Sequence, residues 1–210
     1  VIGAARVLDQ LKRLPASFQF ETEAGLTQLS RDKMRYTFER EQGSCVAIEP
    51  TTLAGLLDAL NVDELALTGM PCWVNTGSEQ LLVEVSQTAV LDGLKPDAAK
   101  LTAWSASQGK RAAVYLWHEK SRYVRVRFFS SVGNVLGEDI GTGSACANLG
   151  SWCLAHGMND VDWLIQQGDY VRRPNRLHLQ TNSDKRVFVG GDTIVVGHGS
   201  LSVPQVAEES

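Results

Sequence analysis

The sequence predicts an α+β protein made of two pseudo-symmetric domains, each a β-barrel or half-barrel wrapped around one central helix. Two stretches rich in small apolar residues have helical spacing, at 1–11 and 142–156. Each is followed by segments that alternate apolar and polar residues, at 18–40 and 170–203, as β-strands do. Hairpins outnumber strand–helix–strand crossovers, which favours two half-barrels over a doubly wound parallel sheet.

The composition excludes several classes of protein. The 210 residues are 43% hydrophobic and 21% charged, which is typical of a globular protein with a sizeable core. The net charge of −4 and the pI near 5.6 argue against nucleic acid as a partner, because binding to phosphate backbones depends on positive charge. No apolar run reaches the length of about 18 residues needed to cross a membrane, and no secretion signal opens the sequence. We therefore expect no membrane partner and a cytoplasmic location.

The first elements are a helix and two strands. The helix covers residues 1–11, and its shared apolar face comprises Val1, Ala4, Ala5, Leu8 and Leu11. Because uncapped helices rarely begin at a free terminus, we expect a segment upstream of Val1. After Pro15, "SFQFETEAG" and "KMRYTFERE" are predicted strands, with "LTQLSRD" between them.

The middle of the chain alternates short helices with strands. "EPTTLAGLLDALNV" and "KPDAAKLTAWSASQG" are predicted helices, and "PCWVNTGSEQLLVEV" is two strands separated at Thr76 and Gly77. "RAAVYLWHE" and "RYVRVRFFS" are predicted strands, followed by a loop over 131–141, the second central helix and a tail of strands with Gly-rich turns.

The repeat predicts where the domains lie. Residues 1–65 are the remainder of an N-terminal domain, residues 66–203 form the C-terminal domain, and residues 204–210 are a tail.

The turn before the second central helix is the best candidate for a binding site. Gly141, Thr142, Gly143 and Ser144 precede the helix, so their N–H groups and the positive end of the helix dipole should converge on an anion. No lysine follows the glycines, so a small carboxylate fits better than a nucleotide phosphate. Alternatively, the hydroxyl of Thr142 or Ser144 caps the helix and fills the site.

Two adjacent carboxylates, Glu138 and Asp139, stand directly before this turn. Desolvation at the mouth of an apolar site raises the pKa of a carboxyl group, which can then accept and release a proton. The neighbouring N–H groups would stabilise an enolate-like charge. The alternative is that both acids are exposed loop residues without a catalytic role.

The cysteines do not form a metal or disulfide pattern. Cys45, Cys72, Cys146 and Cys153 include no C-x-x-C pair, and the four histidines lie on separate segments, so no metal site is expected. Small buried side chains are the favoured interpretation of these cysteines.

The run "FFSSVGNVLGEDIGTGSACANLGSWCLAHG" resembles the phenazine-biosynthesis isomerase (PhzF-like) family, whose second domain carries an acidic pair followed by T-G-S/N-A and a helix. Supporting matches are "VIGAARVL", "VNTG", "RPNRLHL" and "VGHGSL", so the similarity extends from Val1 to about Val203. The resemblance implies the diaminopimelate-epimerase-like fold, with the active site between the N-termini of the two central helices. It also implies cofactor-independent isomerisation of a small carboxylated substrate, in which a carboxylate moves a proton between carbon atoms.

The resemblance assigns roles to residues of the turn. Asp139 matches the acidic catalytic position, and Gly143 and Ser144 match the contacts to the substrate carboxylate; Gly141 and Thr142 complete the predicted binding turn. The family's principal glutamate lies upstream of the position that matches Val1, so we expect this chain to lack it. We also expect a homodimer, the commonest symmetric assembly.

Two other functions stay open. One is a non-catalytic protein of the same fold that binds small carboxylates or acts in assembly. The other is a thiol racemase that uses Cys72 or Cys146. Related racemases of this fold carry cysteine in a C-G-T-G context, whereas Ile140 precedes Gly141 here, and the thiol mechanism is therefore disfavoured.

Overall fold

The computed structural model describes residues 1–22, 25–132 and 135–200, and this part of the chain contains twelve β-strands and five α-helices. The helices are α1 (Ile2–Lys12), α2 (Leu53–Leu60), α3 (Thr88–Gly93), α4 (Ala98–Ser107) and α5 (Gly143–Ala155). The strands are β1 (Ser17–Thr22), β2 (Gly25–Asp32), β3 (Arg35–Glu41), β4 (Ser44–Ala47), β5 (Cys72–Asn75), β6 (Glu79–Glu84), β7 (Ala113–Lys120), β8 (Tyr123–Val132), β9 (Val135–Asp139), β10 (Asp162–Gln167), β11 (Asn175–Thr181) and β12 (Arg186–Asp192).

Two similar units follow the two central helices. Helix α1 is followed by the antiparallel strands β1, β2 and β3, and helix α5 by the antiparallel strands β10, β11 and β12. Strand β3 pairs with β12, so the order β1-β2-β3-β12-β11-β10 is symmetric about this pair. The repeated unit predicted from the sequence is therefore confirmed.

The sheet continues from β10 through β8, β7, β6, β5 and β4, with β9 added beside β8. Helix α5 contacts two separate parts of the sheet, β11 and β12 on one side and β4, β5 and β6 on the other. The opposite face of β5–β8 packs against α2, α3 and α4, which form a second core. The α+β class, with strands around a central helix, is thus confirmed. The domain division at residues 65 and 66 stays a prediction.

Helix α5 is buried because its side chains are small. Every residue from Ala145 to Ser151 is buried, as predicted for a helix that is apolar on all sides. A Cβ atom on Gly150 would lie 2.5 Å from Cγ1 of Val187, so the close approach of β12 requires glycine at this position.

The buried face of α1 differs from the predicted apolar face. Of the five residues that shared the predicted face, only Ala5 is buried, and Asp9 is the other buried residue of the helix. The Asp9 carboxylate accepts hydrogen bonds from the Tyr36 hydroxyl at 2.6 Å and from the Arg31 guanidinium, which turns this side of the helix towards β2 and β3.

Several strands differ from the sequence prediction. "LTQLSRD" was predicted to connect two strands but forms most of β2, because Thr27 and Leu29 are buried between β1 and β3. Part of the predicted loop over 131–141 belongs to β8 and β9, so Glu138 and Asp139 end a strand. Residues 133 and 134 lie outside the described residues.

The ends of the prediction also need correction. Strands β4 and β10 were not predicted. The predicted strands of the tail end with β12, since residues 193–200 have no regular secondary structure; residues 201–203 lie outside the described residues. Among the described helices, none is long and apolar enough to span a membrane.

Candidate functional site

A cavity of about 620 Å³ lies where the N-terminal ends of α1 and α5 meet. The start of α1 contributes Val1, Ile2 and Gly3, and the turn before α5 contributes Gly141, Gly143 and Ser144. The remaining walls include the β5–β6 loop at residues 76–78 and the inward side of β3. The structure thus brings three residues of the predicted binding turn to one cavity.

The start of α5 has free backbone donors. Thr142 is the N-cap residue, but its side chain makes no capping hydrogen bond. The Ser144 hydroxyl accepts a hydrogen bond from Nε2 of Gln80 at 3.2 Å. Within the described residues, the N–H groups of Gly143 and Ser144 have no hydrogen-bond partner. The capping alternative is therefore not realised, and these amides stand at the cavity wall together with the positive end of the helix dipole.

Thr142 is buried, and protein groups use both its amide and its hydroxyl. Its N–H donates to Oε1 of Gln167 at 3.0 Å, and its hydroxyl accepts from Nε2 of Gln167 at 2.9 Å. The same hydroxyl donates to Oδ2 of Asp139 at 2.7 Å. Thr142 consequently holds Asp139, and its amide is not available to a ligand.

Gln167 is a residue of the candidate site that was not predicted from the sequence. Its Nε2 also donates to the backbone oxygen of Asp139 at 3.0 Å, so one side chain holds both Asp139 and Thr142. It is 1% exposed and lies 25 residues after Thr142, at the end of the unpredicted strand β10. No local pattern in the sequence indicates this contact.

Asp139 is half-buried at the end of β9. Oδ2 is held by Thr142, whereas Oδ1 makes only one long contact within the described residues, 3.5 Å from the Gly141 N–H. Asp139 is not among the described residues that line the cavity, but Gly141, two residues later, is. The carboxylate therefore lies near the cavity but outside its lining, with one oxygen held and the other weakly bonded.

Glu138 and Asp139 are adjacent residues of β9, so their side chains point to opposite faces of the strand. Glu138 forms a two-pronged ion pair with Arg127, with Nε–Oε1 and Nη2–Oε2 distances of 3.0 and 2.7 Å. Both side chains are 11% exposed, and Arg127 also donates to the Leu91 and Leu94 carbonyls. Arg127 thus links Glu138 to the end of α3, and the expectation that both acids act at the turn is corrected.

Asn148 anchors the β5–β6 loop to α5. It is fully buried, and its Oδ1 accepts from the N–H and the hydroxyl of Thr76 at 2.9 and 2.7 Å. Its Nδ2 donates to the Val74 and Ser78 carbonyls, both at 2.8 Å, and to the Gln80 side chain. The polar amide of Asn148 inside the apolar run "SACANLG" is a sequence signal from which its hydrogen-bonding role could have been predicted.

The cysteines of the thiol alternative lie away from the cavity. Cys146 is fully buried, and burial raises the pKa of its thiol. A hydrogen bond from Cys45 lowers the pKa of Cys72 to about 6, but Cys72 is only 5% exposed and packs in the inner core. Among the described residues that line the cavity, there is no cysteine. Likewise, no cluster of three or more metal-ligating side chains occurs in the described part of the chain.

The chain is similar in sequence to one protein family and to two proteins named as isomerases. The model of the family described as phenazine biosynthesis-like protein matches residues 1–199. The uncharacterized isomerase PM1503 of Pasteurella multocida is 36% identical over 203 residues, which cover 97% of this chain and 68% of that protein. The uncharacterized isomerase YddE of Escherichia coli is 24% identical over 183 residues, which cover 80% of this chain and 61% of that protein.

Solved structures show the same fold. The phenazine biosynthesis protein of the PhzF family from Bacillus anthracis has a TM-score of 0.75 at 16% identity, over 91% of this chain and 71% of that chain. A hydroxyproline epimerase from Agrobacterium vitis has a TM-score of 0.55 at 14% identity, over 93% of this chain and 64% of that chain. The diaminopimelate-epimerase-like fold expected from the sequence is therefore confirmed.

Proposed function

This chain belongs to the family of phenazine biosynthesis-like proteins and is of the isomerase class, and we propose that it moves a proton on a small carboxylated substrate without a cofactor. The observation that supports this most directly is that Gly143 and Ser144 line the cavity and that their N–H groups have no hydrogen-bond partner among the described residues. The Asp139 carboxylate is held just before this turn by Thr142. The substrate carboxylate binds to these two amides, and Asp139 carries the proton.

The amides supply charge stabilisation. A helix N-terminus in a cavity binds an anion through its N–H groups and through the helix dipole. When a proton leaves the carbon next to the bound carboxylate, negative charge spreads onto the carboxylate oxygens. Fixed donors at Gly143 and Ser144 stabilise that charge without having to reorganise.

Asp139 supplies the proton-transfer group. The Thr142 hydroxyl holds Oδ2, so the orientation of the carboxylate is set by a residue that Gln167 in turn holds. Oδ1, with its single long contact, is the oxygen that takes and returns the proton. Thr142 enters the mechanism as the residue that positions Asp139, and the substrate contacts are Gly141, Gly143 and Ser144.

Solvent exchange tests the proposal. The purified protein, in its natural full length, is incubated in D₂O with a panel of unsaturated cyclic acids such as 2-cyclohexene-1-carboxylate, and loss of the α-proton is followed by NMR. Asp139→Asn should slow the exchange by about 100-fold or more, the scale of a lost general base. Asp160→Asn is the matched control, because Asp160 is exposed in the connection between α5 and β10 and its replacement should leave the rate unchanged.

Two results would contradict the proposal. Equal exchange in wild type and Asp139→Asn would remove Asp139 from the mechanism. Saturable binding of the acids with no exchange would favour the non-catalytic carboxylate-binding protein, an alternative consistent with the absence of Asp139 from the described cavity lining. The expected homodimer and cytoplasmic location stay predictions.

A further inference from the structure

Arg40 occupies an inward position of β3. Side chains of a strand alternate between faces, and Tyr36 and Phe38, which are 0% and 6% exposed, point into the inner core. Arg40 is the next residue on that face, and its partner on β12 is the fully buried Val187. The Arg40 side chain is half-buried and lines the cavity. A guanidinium therefore stands where the alternation otherwise places an apolar side chain.

Arg40 differs from the neighbouring arginines because it has no carboxylate partner among the described residues. Its single hydrogen bond there is from Nη1 to the Glu39 carbonyl at 3.0 Å. The acidic groups nearby are already paired: Asp9 with Arg31, Asp192 with Arg35 at 3.1 Å, and Glu39 and Glu41 with Arg186 at 3.3 and 2.9 Å. The remaining guanidinium donors of Arg40 are available to a molecule in the cavity.

A half-buried, unpaired cation is costly without a counter-ion. Burial lowers the pKa of Arg40, but an arginine stays protonated in the physiological range. Removing a charge from water is unfavourable unless an opposite charge or strong hydrogen bonds replace the lost hydration. Among the described residues, only the Glu39 carbonyl and the face of the Phe38 ring supply part of this compensation.

The Arg40 guanidinium and the start of α5 both border the Phe38 ring. The central carbon of the guanidinium is 5.2 Å from the centroid of the Phe38 ring. The same ring approaches Gly143, where a Cβ atom would lie 3.3 Å from Cε1 of Phe38. Arg40 and the start of α5 therefore border the same aromatic ring and line the same cavity.

We propose that Arg40 binds a second anionic group, so that the site selects small dianionic acids over monocarboxylates. This inference rests on the proposed function for the position of the first carboxylate, on the α5 amides. The second group, a carboxylate or a phosphate-like group, accepts two parallel hydrogen bonds from the guanidinium.

Binding of matched acids tests the inference. Glutarate, 3-phosphonopropionate and butyrate are titrated against the full-length protein by calorimetry; the first two are dianionic probes and the third is a monoanion of similar size. Wild type should bind at least one dianion about tenfold more tightly than butyrate. Arg40→Gln should weaken that binding by about 10- to 100-fold, the value of a charge-assisted hydrogen bond pair, and change butyrate binding less than about twofold.

Two further variants make the result specific. Arg40→Lys keeps the charge without the two-pronged geometry and should give intermediate affinity for the dianions. Arg122→Gln makes the same charge change at an exposed side chain away from the cavity and should leave all three affinities unchanged. The dianion that loses more affinity in Arg40→Gln identifies the second group as carboxylate or phosphonate.

The inference is overturned if wild type binds no dianion better than butyrate, or if Arg40→Gln weakens all three acids equally. The exchange assay separates this outcome from failure of the proposed function. Preferential binding of dianions without proton exchange would support the role of Arg40 and contradict the proposed catalysis. Proton exchange on monocarboxylates that Arg40→Gln does not change would support the catalysis and contradict the role of Arg40.

Discussion

Thr142 determines which N–H groups at the start of α5 are free to bind a ligand. A threonine at an N-cap usually accepts a hydrogen bond from one of the first helical N–H groups, which removes that donor from the surface. Here Gln167 donates to the Thr142 hydroxyl, and the hydroxyl proton goes to Asp139. One buried glutamine therefore leaves the helix amides free and orients the carboxylate at the same time.

Replacing Gln167 should reduce both stability and proton exchange. Gln167→Leu leaves the buried Thr142 N–H without an acceptor, which costs about 1–3 kcal/mol of unfolding free energy. It also releases the hydroxyl that holds Asp139, so the exchange rate falls even though Asp139 is present. Urea unfolding and the NMR exchange assay measure the two effects.

Gln166→Leu is the control for this change. Gln166 is the preceding residue of β10, half-buried and pointing to the other face, and it makes none of these bonds. If Gln166→Leu lowers the exchange rate as much as Gln167→Leu does, Gln167 has no specific role at the turn.

Asp9 gives the stability of the protein a pH dependence. Its hydrogen bond from Tyr36 and its ion pair with Arg31 hold the pKa of the carboxyl below its ordinary value. The stabilisation is therefore complete above the unfolded pKa of about 4 and is lost as the pH falls through the lower folded value. Wild type should lose more thermal stability than Asp9→Asn between pH 5 and pH 3, as measured by melting at constant ionic strength.

Asp184→Asn serves as the comparison, since Asp184 is exposed in a turn. Its melting temperature should follow that of wild type at every pH. Parallel curves for wild type and Asp9→Asn over the whole range would show that the Asp9 pair adds no pH-dependent stability.

At the scale of elements, the two central helices use glycine differently. In α5, a Cβ on Gly150 would meet Val187 at 2.5 Å and Leu179 at 2.9 Å, and both of those residues are fully buried. In α1, a Cβ on Gly3 meets nothing within 4 Å. Close packing of strands against a helix therefore constrains α5 but not the start of α1.

Alanine at these two glycines should have opposite effects. Gly150→Ala overpacks the core at a cost of about 1–3 kcal/mol, which exceeds the helix-propensity gain of about 0.5–1 kcal/mol. Gly3→Ala has only the gain in helix propensity, because no atom is overpacked, and should be neutral or slightly stabilising. Urea denaturation of both variants checks the difference; equal midpoints would mean that β12 yields around the added methyl group.

The sequence predicted those elements whose pattern is local. Strand β7 alternates cleanly between two cores, with Tyr115 facing one and Leu116 the other, and its apolar run predicts a strand without knowledge of its neighbours. Strand β2 was missed because its buried positions include the polar Thr27, while the apolar Leu26 is 67% exposed. Pairing with β1 and β3, rather than its own residue pattern, makes that segment a strand.

The same division holds for the site. The turn 141–144 could be predicted because the geometry of a helix start depends on adjacent residues. The groups that complete it come from distant parts of the chain: Gln167 is 25 residues from Thr142, and Gln80 is 68 residues from Asn148. Arg40 also belongs here, because only the pairing of β3 with β12 places it in the cavity.

At the scale of the whole molecule, the β3–β12 pair joins the two repeated units into one sheet. The inner core contains Tyr36 and Phe38 from the first unit together with Leu179, Val187 and Val189 from the second. The cavity walls from α1, β3 and α5 come together only when this pair forms. The site and the cooperativity of folding therefore depend on the same contact.

Val189→Ala tests that dependence. Val189 is fully buried, opposite Phe38 on β3 and Leu179 on β11, so its truncation should cost about 2 kcal/mol of unfolding free energy.

All five tryptophans lie between residues 73 and 163, so their fluorescence reports on a region outside the first unit. If the sheet unfolds as one cooperative body, urea transitions followed by tryptophan fluorescence and by far-ultraviolet circular dichroism coincide and shift together. Val196→Ala, at a side chain that is 92% exposed, should leave both midpoints unchanged. A circular-dichroism midpoint that moves while the fluorescence midpoint stays would mean that the two units unfold separately despite their shared strand pair.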